Sequence, residues 1–201
     1  MPTLYHSPMS RSSGIVALID ELGADVEIRE VTIPRQDGTG GPDPANPHPE
    51  KKVPFLVDGE ETVRERGAII LYLTDKYPEA GLGPIEGEPG RGAYLSWLFY
   101  YQGVMEPVFI LHWAGLSHPA ITASLRDMDA MLARLTDALE KGPYLLGEKY
   151  SAADLLCSSP FQWFSDLLPD NPKIRDWVAR CADRPAVKRT LERDAAALQP
   201  G

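Results

Sequence analysis

A helix caught between two strands limits this chain more than any other feature of its 201 residues. "TLYH" at 3–6 is a short apolar strand, and behind it Ile15, Leu18, Ile19 and Leu22 recur at the spacing of one helix face until Gly23 supplies a stop. "VEIREVTI" at 26–33 then alternates as a second strand. A crossover of that length brings the second strand in parallel to the first, so the opening is a β-α-β unit. Residues 34–52, "PRQDGTGGPDPANPHPEKK", hold five prolines and three glycines and can only be a long loop. "VPFLV", the pair Asp58-Gly59 and "ETVR" read as a hairpin, and a helix from Glu65 to Tyr77 follows, halted by Pro78.

Composition changes after the Gly/Pro-rich "PEAGLGPIEGEPG" at 78–90, beyond which lie all four tryptophans. From there the pattern is helical throughout. Ile121, Leu125, Met128, Leu132, Leu135 and Leu139 trace the seam of one long buried helix, and Ser151 with Asp154 has capping-box spacing ahead of an apolar run. The expected architecture is an α/β domain of βαβ-ββα order over residues 1–79, a linker at 80–89 and an all-helical domain over 90–201.

A net charge of -9 and a pI near 4.9 exclude nucleic acid and an anionic membrane surface as main partners, since both repel such a chain at long range. No apolar run reaches membrane-spanning length, and "MPTLYHSPMS" lacks a basic region followed by a long apolar one, so a cytoplasmic protein is expected. Cys157 and Cys181, the only two cysteines, read as buried thiols in a reducing compartment. The four histidines are scattered without metal-ligand spacing, so no metal is expected.

"SPMS" at 7–10 falls where the first strand gives way to the first helix, and it looks like a Cys-Pro-x-Cys redox motif with both sulfurs replaced by oxygen. Together with "Val53-Pro54" opening the third strand, it makes the first half resemble the thioredoxin-like fold. With "LYHSPMSRSSGIVALIDELG", "NPHPEKKVPFLVDGEETVRERGAIILYLTDKYP", "WLFYYQGVMEPV" and "YLLGEKYSAADL" included, nearly the whole chain resembles the cytosolic glutathione transferases of the bacterial type, serine-dependent rather than cysteine-dependent. The resemblance implies a homodimeric detoxification enzyme. Its co-substrate would be glutathione and its acceptor a small apolar electrophile.

That chemistry is feasible with oxygen alone. A thiol near ~8.5 needs its pKa lowered by about two units, roughly 2.7 kcal/mol, to be mostly ionised at neutral pH. One hydrogen bond donated to a charged group contributes about 1.5–3 kcal/mol, and a helix N-terminus adds roughly 0.3–1. A hydroxyl cannot form a mixed disulfide, but it can hold a substrate's sulfur as thiolate. Three hydroxyls compete for the role. Ser7 stands at the serine position of theta, zeta and tau enzymes, Ser10 at the second cysteine of the redox motif, and Tyr5 at the tyrosine of alpha-type enzymes. Ser12 and Ser13 read as helix caps.

The resemblance further assigns glutathione to the backbone of Val53 before a cis Pro54, to Glu65 for the ammonium, and to Arg66 in the place of the family's serine. Lys52 or Lys51 would meet the glycyl carboxylate, with Arg11 and Arg35 as weaker contacts. Tyr101, Val104, Met105, Val108, His112 and Trp163 would wall the acceptor pocket, with core packing as the plainer use of such residues. Two other functions fit the same resemblance. One is glutathione-dependent peroxide or disulfide reduction, and the other is a non-enzymatic interaction domain of this fold.

Overall fold

Strand β1 (Thr3–His6) pairs in parallel with β2 (Glu27–Glu30) through the helix α1 (Ser13–Leu22) that connects them. On its other side β1 runs antiparallel to β3 (Phe55–Asp58), which turns through Gly59 into β4 (Glu61–Arg64). The sheet order is therefore β2-β1-β3-β4. Gly59 has φ +64, the left-handed turn geometry that the Asp-Gly pair signals. Helix α2 (Arg66–Lys76) follows, and Pro78 opens a single 3₁₀ turn to Ala80. In this computed structural model, which describes residues 1–198, Leu4, Ile15, Leu18, Leu56, Ile69 and Leu73 are fully buried between sheet and helices. Strand β2 is shorter than its alternation suggests. The Val31 N–H still reaches the His6 carbonyl, but the Thr32 N–H turns away to the Asp43 carboxylate and the chain leaves the sheet.

The chain divides into two units, residues 1–80 together with the segment from Arg184 onward, and residues 81–183. The helical half expected to run to 201 thus yields its last helix, α9 (Pro185–Ala197), to the α/β unit. Arg184 forks onto the Glu21 carboxylate and Arg189 bonds Asp20 at 2.8 Å, which pins α9 along α1.

The second unit contains α3 (Arg91–Tyr100), a π-helical turn (Tyr101–Met105), α4 (Glu106–Trp113), α5 (Pro119–Leu125), α6 (Met128–Leu139), α7 (Ala152–Trp163) and α8 (Pro172–Ala182). The expected single helix over 121–139 is two helices. Arg126 has φ +105 and ends α5, and the Asp127 side chain accepts from the Ala130 N–H to start α6 afresh. The break turns Met131, Leu135 and Leu139 inward instead of the whole seam. Asp154 does cap α7, and more: its buried carboxylate accepts from the Leu145 and Ser151 N–H groups, the Ser151 hydroxyl and the Trp177 indole. Both cysteines are buried thiols without a disulfide.

Candidate functional site

The loop from Ser7 to Ser12 is held from beneath by a buried polar chain. Asp194 on α9 accepts from His6 Nε2 at 3.0 Å, from the Ser13 hydroxyl at 2.5 Å and from the Met9 N–H at 2.7 Å. His6 Nδ1 lies 2.7 Å from Ser12 Oγ, and Ser12 Oγ lies 2.7 Å from Ser10 Oγ. Burial works to raise the Asp194 carboxyl, but the hydrogen bonds from His6, Ser13 and Met9 outweigh it and hold the group below the ordinary carboxylate range. Ser12 and Ser13 are thus members of a network, not the simple caps expected of them: Ser12 makes no side-chain cap bond.

Hydrogen positions in this chain follow from counting. The Asp194 carboxylate can only accept, so His6 Nε2 carries the hydrogen. His6 Nδ1 shares the next hydrogen with Ser12 Oγ. Ser12 Oγ also accepts from the Ser7 N–H at 3.1 Å, lies 3.3 Å from the Ser7 carbonyl oxygen and shares one hydrogen with Ser10 Oγ, which itself accepts from the Ser12 N–H at 3.2 Å. Ser10 Oγ is therefore engaged inward with Ser12. Ser7 differs. Its Oγ accepts from Arg35 Nη2 at 3.2 Å, and among the described residues its hydrogen meets no acceptor.

Arg35 holds the same loop from above. Its guanidinium donates to the Pro8 carbonyl at 2.7 Å and the Met9 carbonyl at 3.3 Å as well as to Ser7. Met9, with φ +52, is tied at both its peptide groups, which is what keeps a non-glycine residue in that conformation. Two more left-handed residues flank the proposed peptide site, Lys51 with φ +56 and Glu65 with φ +67.

The Val53–Pro54 bond is cis, as the resemblance implies. Asn46, fully buried, donates to the Lys52 carbonyl and fixes the chain just before Val53, while Lys51 Nζ donates to the Asn46 carbonyl. Lys51 is thus occupied within the loop, and Lys52 is exposed. Glu65 is exposed at the start of α2, and Arg66 beside it is buried. Arg11 is exposed on the turn before α1. Tyr5 packs on Phe55 and Val31, with the Arg29 guanidinium over its ring and donating to its hydroxyl at 3.4 Å.

The six acceptor-pocket residues divide between interior and surface. Tyr101, Met105 and Val108 are 2%, 0% and 5% exposed and belong to the core of the helical unit, Val104 is half-buried, and His112 and Trp163 are exposed. Residues the sequence reading missed are His6, Asn46 and Asp194. Asp194 had a signal: Ala186, Val187, Thr190 and Asp194 share one helical face, so an acid stands on the buried stripe of α9.

Among the described residues no group of His, Cys, Asp or Glu could hold a metal ion, and no helix is long and apolar enough to cross a membrane.

A thioredoxin-like α/β unit with a serine-proline corner after β1 and a cis proline before β3, together with an all-helical unit, defines the class. Residues 4–81 match the "Glutathione S-transferase, N-terminal domain" family and residues 119–180 the "Glutathione S-transferase, C-terminal domain" family. The chain belongs to the glutathione S-transferase family of transferase enzymes. It is 30% identical to the disulfide-bond oxidoreductase YfcG of Escherichia coli K12, over 95% of this chain and 94% of that one. Among solved structures, a glutathione transferase from Methylococcus capsulatus Bath matches with TM-score 0.78 and 29% identity, covering 98% of this chain and 100% of the other. A sphingomonad glutathione S-transferase complexed with glutathione matches with TM-score 0.76 and 29% identity, covering 96% and 98%.

Proposed function

We propose that this chain is a cytoplasmic, homodimeric glutathione transferase in which the Ser7 hydroxyl stabilises the thiolate of bound glutathione for attack on a small electrophile, a detoxification chemistry. The observation that carries the reading is the unequal commitment of two neighbouring hydroxyls. Ser10 is engaged with the Ser12 hydroxyl and N–H, whereas Ser7 accepts from Arg35 and its own hydrogen meets no acceptor among the described residues. Donation from a cation to Ser7 Oγ also polarises its O–H, which strengthens the bond it can give to sulfur. The peptide part of glutathione would lie along the backbone of Val53 as an added strand, with Glu65 facing its ammonium and Arg66 and Lys52 its carboxylates. Retention on immobilised glutathione, followed by a conjugation assay on the parent protein and its Ser7→Ala variant, tests it. Retention with turnover that Ser7→Ala does not diminish would remove Ser7 from the mechanism.

A second reading draws on the Escherichia coli relative, named as a disulfide-bond oxidoreductase. Residues 1–90 contain no cysteine, so both electrons would come from two glutathiones, which leave as glutathione disulfide while the substrate disulfide leaves as two thiols. The same Ser7-bound thiolate would make the first attack. Turnover of hydroxyethyl disulfide exceeding that of any aryl halide would favour this reaction.

A further inference from the structure

The loop that ends in the cis Val53–Pro54 bond is tied by its own side chains. Asn46 Oδ1 accepts from the His48 N–H at 3.0 Å while Asn46 Nδ2 donates to the Lys52 carbonyl, also at 3.0 Å. The Lys51 N–H returns to the His48 carbonyl at 2.9 Å. His48 completes these ties: its Nδ1 accepts from the Glu50 N–H at 3.0 Å, and its ring packs edge-on against Phe55, the residue after the cis proline, with centroids 5.2 Å apart. It is 5% exposed, although Pro47, Pro49 and Glu50 around it face solvent. All of these residues belong to the α/β unit.

A backbone N–H can only donate, so His48 Nδ1 is free of hydrogen and the imidazole is neutral, with its hydrogen on Nε2. Protonation would put a second hydrogen where Glu50 already points one. The bond would be lost, and a charged ring is costly in a site this closed. The charged groups that face His48 are Arg64 at the end of β4, Glu65 before α2, and Glu50 and Lys52 on its own loop; from β3 it meets the uncharged Phe55. Burial does most to hold the imidazole below the ordinary histidine value. Arg64 and Lys52 act in the same sense, and the two glutamates oppose them without prevailing.

Building on the reading that glutathione lies along Val53, we propose that His48 is a positioning residue for that peptide, a latch whose neutral ring fixes the loop and whose protonation releases it. His48 acts through Glu50, Lys51 and Lys52, which lead directly into Val53. The closed loop accepts only the neutral ring, whereas an open loop leaves the ring at its ordinary value near ~6.5. The closed state is therefore fully favoured above that pH and loses ground as pH falls below it, by up to about tenfold per pH unit. The site takes up the peptide at neutral pH and gives it up in acid.

S-methylglutathione is the probe, because it keeps the peptide and has no thiol to titrate. Its dissociation constant for the parent protein, measured by calorimetry, should rise about tenfold or more between about pH 7.5 and about pH 5. His48→Asn should bind at the parent's neutral strength at both pH values, since an Asn side-chain oxygen accepts the N–H two residues on and does not titrate. His48→Ala should bind weakly at both. Hydrogen exchange in the ligand-free protein reports on the latch itself: protection of the Glu50 and Lys51 amides, corrected for the intrinsic rate, should fall on acidification in the parent and stay level in His48→Asn. A parent affinity that does not change with pH, or a loss in acid that persists in His48→Asn, would overturn the proposal. Amide protection lost in acid as expected, in a protein that binds no S-methylglutathione at either pH, would overturn the glutathione reading instead.

Discussion

His6 and Asp194 face each other at 3.0 Å, both fully buried, although 188 positions separate them in the chain. Through this contact the last helix reaches under the first loop. The Asp194 carboxylate takes the hydrogen of His6 Nε2, and His6 Nδ1, Ser12 and Ser10 continue the chain into the first loop. Asp194 thereby anchors the loop that carries Ser7 and Ser10, holding the Met9 N–H and the Ser13 hydroxyl as well.

Asp194→Ala should be strongly destabilising. It strands the His6 imidazole, the Ser13 hydroxyl and the Met9 N–H in a buried site, and each unsatisfied group costs about 1–3 kcal/mol. A loss of about 3 kcal/mol or more in urea unfolding is expected. A loss below about 1 kcal/mol would mean that the network is replaced by water at little cost.

Removing the two serine hydroxyls separately should give unequal results. Ser7→Ala loses a bond to a charged sulfur, about 1.5–3 kcal/mol, so conjugation at neutral pH should fall roughly 10- to 150-fold with glutathione affinity little changed. Ser10→Ala removes a hydroxyl already committed to Ser12, and its effect on rate should stay within a few-fold. The reverse order of effects, read from kcat/KM for both substrates, would transfer the role to Ser10.

Much of the scaffold was legible because it rests on local rules. The β-α-β crossover, the Asp58-Gly59 turn and the Ser151–Asp154 cap each depend on residues a few positions apart. The polar chain under Ser7 was not, since His6 and Asp194 meet only once α9 has packed on α1. Through the π-helical turn at Tyr101–Met105, Trp97, Leu98, Tyr101, Met105, Val108 and Phe109 keep one buried face at ordinary helical spacing, which marks the core but not which of its residues a ligand would reach. Phe99 falls off that face and is 71% exposed, and Trp113 is 59% exposed.

Phe99 supplies a test of the proposed homodimer. A large apolar side chain this exposed on α3 gains about 1.5–3 kcal/mol if a second copy covers it, and a two-fold contact counts that gain twice. The parent protein should sediment at twice its 22.1 kDa chain mass at micromolar concentration. Phe99→Glu should shift it towards monomer. A parent protein that sediments at 22.1 kDa would remove the dimer from the proposal.

The two buried aspartates should leave opposite marks on acid stability. Asp194 is held below the ordinary carboxylate range, so its contribution is fully present above the unfolded value near ~3.9 and is lost as pH falls through its folded value. Asp154 is shifted the other way. Burial raises it, and the hydrogen bonds from Leu145, Trp177 and Ser151 oppose that shift without cancelling it. The folded state therefore holds the Asp154 proton more tightly than the unfolded chain does, and stability from this group is present below ~3.9 and declines as pH rises through its folded value. The measurement is the difference in unfolding free energy between the parent and each Asp→Asn variant, followed from pH 7 downward. For Asp194→Asn that difference should shrink on acidification, and for Asp154→Asn it should grow. Parallel curves for the two variants would show that at least one carboxyl does not titrate with the sign that its surroundings dictate.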